Sequence, residues 1–90
     1  MIKIAMNKLL DLAKFLISNI VTNKDGLEIT IATPQENVAI VNVKADSADI
    51  PIIIGKKGIV IRALRSILRI RAPLDNKFID ISIDDGLQHN

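Results

Sequence analysis

The sequence predicts an α+β fold, a three-stranded sheet with three helices packed on one face. Three observations predict it. Short runs at 27–31, 38–45 and 78–83 alternate apolar and polar residues with the period of a half-buried strand. Longer runs near the N-terminus and from Ile59 to about Arg71 repeat apolar residues at helical spacing. Turn formers and prolines separate these runs and set the order α-β-β-α-α-β.

In the first segment, MIKIAMNKLLDLAKFLISNIV, the polar residues Lys3, Asn7, Asp11, Lys14 and Ser18 mark one narrow solvent stripe. The apolar arc around it is wide, which fits a helix largely buried in its own domain or, as the alternative, one that meets a partner with part of its surface. Lys8, Asp11 and Lys14 interrupt the run, so it falls short of the ~20 apolar residues of a membrane span. No small-residue cleavage site follows it.

Thr22 to Gly26 supplies turn formers, and Leu27, Ile29 and Ile31 then alternate with Glu28 and Thr30. Thr33-Pro34-Gln35-Glu36-Asn37 reads as a hairpin loop. Beyond it, the run from Val38 to Ala45 puts Ala39, Val41 and Val43 on one face and Asn42 and Lys44 on the other, which makes an antiparallel partner for the first strand. Asp46-Ser47-Ala48-Asp49 offers capping side chains to a short helix, in whose first turn Pro51 is tolerated. From Ile59 the positions Val60, Ala63, Leu64, Ile67 and Leu68 form an apolar face, while Arg62, Arg65 and Arg69 line another. Ala72-Pro73 closes that helix. Phe78 to Ile83 reads as a third strand, and the tail 85–90 as frayed.

Ninety residues make one domain, with a core at about 6–84. Hydrophobic residues are 49% of the chain, enough for a packed globule. Phe15 and Phe78 are the only aromatic residues and are expected to be buried. The absence of cysteine excludes disulfides and thiolate metal sites and fits a reducing cytoplasm.

Charge is unevenly spread. Between Lys56 and Arg71 lie six basic residues and no acid, although the net charge is only +2. Such a block on a nearly neutral domain implies an anionic partner met by one face. At its start, IIIGKKGIVIRAL sets two lysines between two glycines. Glycine lets backbone approach a phosphate closely, and unpaired amides where a helix begins favour an anion.

The stretch from Ile53 to Leu64 resembles the KH-domain signature, I/V-I-G-x-x-G-x-x-I ahead of a helix. The element order resembles the type II, bacterial arrangement of that fold. The length, the G-K-x-G loop and the basic helix after it are similar to the small single-KH RNA-binding proteins of the KhpA family, over about Lys8 to Ile83.

KH domains clamp about four backbone nucleotides of a single strand with this loop. The resemblance implies that Gly55, Lys56, Lys57 and Gly58 hold the RNA backbone, with Ile54 and Ile61 lining a groove for bases and Arg62 and Arg65 nearby. It also implies RNA chaperone or post-transcriptional work in the cytoplasm, linked to cell shape and wall growth. The implied protein partner is a larger KH-containing RNA-binding protein or a second copy. Two places depart from the family pattern. Pro51 stands where many KH domains have glycine, and Ile59 and Val60 follow the loop where polar or basic residues are frequent.

Other classes fit less well. The only histidine, His89, lies in the tail, and no serine has a base in view, so the chain reads as no enzyme. No cofactor or metal is expected; Asp80, Asp84 and Asp85 read as a solvent-facing acidic edge. Two buried phenylalanines would leave no platform for base stacking. A protein-interaction module and a single-stranded DNA binder are the alternatives.

Overall fold

The computed structural model describes residues 2–71 and 78–84, with side chains described for 8–70 and 78–84. The expected roles of the Lys3 and Asn7 side chains, Ala72-Pro73, Asp85, His89 and the tail lie outside those residues. Along the chain run α1 (Ile2–Ser18), β1 (Glu28–Gln35), β2 (Val38–Lys44), α2 (Ile50–Ile54), α3 (Ile59–Arg71) and β3 (Phe78–Asp84). Short 3-10 turns precede β1 at Lys24–Gly26 and α3 at Lys56–Gly58.

The sheet order is β1-β2-β3, with β1 antiparallel and β3 parallel to the central strand. Strand pleating sends Ile29, Ala39, Val41, Val43, Ile79 and Ile81 into the core. They meet Leu9, Ala13 and Ile17 of α1, Ile53 of α2, and Leu64 and Leu68 of α3. The opposite pleat carries Glu28, Lys44 and Asp84, which register beside one another across the three strands as acid, base and acid.

The expected hairpin loop is shorter than its composition implies. β1 continues through Thr33, Pro34 and Gln35, and its register shifts between Ala32 and Gln35 before Gln35 pairs with Val38. Proline survives there because β1 is an edge strand and the irregularity spares a ladder donor.

Both phenylalanines are exposed, contrary to the expectation of burial: Phe15 by 66% and Phe78 by 48%. Phe15 lies two residues from both Ala13 and Ile17, which places it on the far side of the helix from the core. Phe78 precedes the inward-facing Ile79, so the pleat turns it outward. In α3, likewise, Ala63 and Ile67 stand outside while Val60 and Ile61 pack against the core, so the inward stripe is Val60, Ile61, Leu64 and Leu68.

Asp49 holds two segments together. It is fully buried at the N-terminal end of α2 but makes no side-chain bond to that helix. Instead its Oδ1 accepts from the Thr22 N–H at 2.9 Å and the Thr22 hydroxyl at 2.7 Å, and its Oδ2 from the Asn23 N–H at 2.9 Å. The capping expected from this acidic stretch is thus spent on a distant turn. Those hydrogen bonds, led by the Thr22 amide, hold the Asp49 carboxyl below its ordinary pKa against the opposing effect of burial.

Candidate nucleic-acid interface

The corner between α2 and α3 follows from its glycines. Gly55 adopts φ 77°, and its N–H donates to the Pro51 carbonyl at 2.8 Å, ending α2. A Cβ there would stand 2.4 Å from Val60 Cγ2 and 2.8 Å from Val60 N. The position therefore needs glycine for conformation and for space. Gly58 also has φ 77°, and its N–H donates to the Gly55 carbonyl at 3.0 Å.

Between them Lys57 takes φ 56°, ψ 24°, the left-handed region that non-glycine residues rarely enter. The guanidinium of Arg62 donates from Nη1 to the Lys57 carbonyl at 2.6 Å, one turn into α3. Both lysine side chains are exposed. Among the described residues, the Lys56 and Lys57 amides have no acceptor outside their own turn. The corner is open, charged and braced from behind.

The other expected site residues divide. Ile54 is half-buried beside the corner, and Ile61 is half-buried with its side chain packed on the core. Arg65 is tied to the sheet: its Nε donates to Asp80 Oδ1 at 3.1 Å, with Nη2 also 3.1 Å from that oxygen. Asp80 thus belongs to an ion pair joining α3 to β3, rather than only to an acidic edge. The Ile81 N–H donates to the same oxygen at 2.8 Å. Sequence reasoning missed this pair because its members lie far apart along the chain; opposite charge was the only available signal.

Arg65, Arg69, Phe78, Ile79 and Asp80 line a shallow concavity of about 300 Å³ beside the outer edge of β3. Among the described residues no group of three histidine, cysteine or acidic side chains could hold a metal ion. Nor, among them, is any helix long and apolar enough to cross a membrane.

A glycine-flanked turn opening a helix, set against a three-stranded α+β sheet, defines the class: a KH domain, a fold whose members bind RNA. The family model described as KhpA/KhpB, KH domain, matches residues 10–83, and the chain belongs to that family. No curated protein and no solved structure matches the chain.

Proposed function

We propose that the protein grips the sugar-phosphate backbone of single-stranded RNA at the corner from Gly55 to Gly58. The element order and the β1-β2-β3 sheet support a type II KH arrangement, in which this corner opens the helix that packs on β3. The observation that carries the reading is the exposed Lys56–Lys57 pair on a bend braced by Arg62. Ammonium groups on an open turn meet phosphate at little desolvation cost, and nearby helix amides favour the same charge. Gly55, Lys56, Lys57 and Gly58 hold the strand, Ile54 and Ile61 border its bases, Arg62 stiffens the bend, and Arg65 adds positive charge from the β3 side. The cellular role is that of an RNA chaperone or post-transcriptional regulator in the cytoplasm, linked to cell shape and wall growth.

A second reading has its own observation. Ile59 and Ile70 on α3 are 61% and 85% exposed. They favour contact with a protein, a larger KH-containing RNA-binding partner or a second copy, alongside RNA binding.

The test replaces Lys56 and Lys57 together with aspartate. The variant is expected to melt like the parent and to lose affinity for single-stranded RNA. Parent-like RNA binding by the folded variant overturns the reading. A parallel titration with single-stranded DNA separates RNA preference from plain phosphate binding.

A further inference from the structure

Phe78 is the described aromatic ring nearest the proposed RNA-binding face, and it is half-exposed among charged neighbours. Arg62, Arg65 and Arg69 lead along α3 from the corner to the concavity that Phe78 lines. From Gly58 to Arg69 the helix rises about 16 Å. A strand of about five nucleotides covers that length at ~3.4 Å each, and a more extended strand covers it with about four. The concavity lies at the small end of ligand pockets, the scale of one heterocycle.

Its polar groups are fixed. Asp80 Oδ1 is occupied by Arg65 and by the Ile81 N–H, which orients the carboxylate. Among the described residues Oδ2 has no hydrogen-bond partner, and the side chain is 44% exposed. Arg69 is exposed beside it. An aromatic face, an exposed cation and an oriented acceptor thus converge where the strand would run.

We propose that this concavity seats one unpaired base of the bound strand, stacked on Phe78, and that Asp80 selects bases presenting an amino group. Cytosine and adenine offer that donor at N4 and N6, whereas uracil turns a carbonyl oxygen toward the carboxylate. Arg69 neutralises the adjoining phosphate. The inference rests on the RNA-binding reading above and gives it a base preference that backbone clamping alone lacks.

The test measures affinity of the full chain for short single-stranded homopolymers of cytidine, adenosine and uridine. The parent is expected to bind the first two at least about fivefold tighter than the third. Asp80→Asn presents a donor as well as an acceptor and is expected to bring uridine within about twofold of cytidine. Phe78→Leu is expected to weaken all three about tenfold without lowering the melting temperature. Photocrosslinking the parent with iodocytidine RNA, which needs no variant, is expected to label Phe78.

Parent-like affinities and preferences in both variants, with crosslinks only elsewhere, overturn the base site. If binding in that case still depends on Lys56 and Lys57, the backbone clamp stands. If the lysine variant binds normally and Phe78→Leu does not, the clamp fails and the base site stands.

Discussion

Arg62 and Lys57 are joined by a hydrogen bond of 2.6 Å from guanidinium to carbonyl, so the first full turn of α3 braces the bend that precedes it. Lys57 is the one described non-glycine residue with positive φ, a conformation costing on the order of 1 kcal/mol. Arg62→Ala removes that brace and one cation. RNA affinity should fall about tenfold, and the slope of log affinity against log salt should become shallower by up to about 0.7. Fluorescence anisotropy at several salt concentrations reads both. An unchanged affinity argues against the brace.

Gly55→Ala should be among the costlier single changes in the chain. The added Cβ meets Val60 at 2.4 Å on a backbone with φ 77°. We expect a loss on the order of 2–4 kcal/mol in urea denaturation, combining overpacking with the left-handed penalty. Gly55→Ala combined with Val60→Ala should recover only part of it, because Val60 N also lies 2.8 Å away.

Asp49 makes stability acid-sensitive. Its folded pKa lies below the ordinary 3.8, so its contribution is present above that value. The contribution declines as pH falls through the lower folded value. Asp46 adds the same sign, held down first by the Ala48 N–H and then by the Asn23 amide. Asp49→Asn should lower the urea midpoint at neutral pH and flatten its decline in acid. A decline equally steep in parent and variant would assign acid sensitivity to other carboxylates.

Neighbouring positions on α3 should behave oppositely. Leu68 is fully buried, so Leu68→Ala should cost about 2–5 kcal/mol. Ile70 is 85% exposed, so Ile70→Ser should change stability by no more than about 0.5 kcal/mol. Equal effects on the denaturation midpoint would contradict the assigned orientation of the helix.

Much of this molecule is legible in its sequence, for local reasons. Ala39, Val41 and Val43 announce their face by alternation, and the bounds of α3 follow from Gly58 and the basic-apolar repeat after it. The charged corner is visible because its glycines and lysines are contiguous. What stays hidden depends on contacts across the chain. Composition marks Pro34 as a loop residue, yet an edge position and a register shift admit it to a strand. Phe15 is hydrophobic enough for a core, but helix phase points it outward. Nothing local pairs Asp49 with Thr22, or Arg65 with Asp80.

Parallel pairing of β2 with β3 also orders the birth of the molecule. The connection between those strands contains α2, the glycine corner and α3, so the last strand emerges from the ribosome after all of them. A nascent chain halted before Phe78 carries every residue of the corner, yet lacks the strand against which α3 seats and the carboxylate that holds Arg65. Competence to hold RNA in the arrangement described here therefore waits on β3, and removal of that strand should silence a loop that lies on a different element.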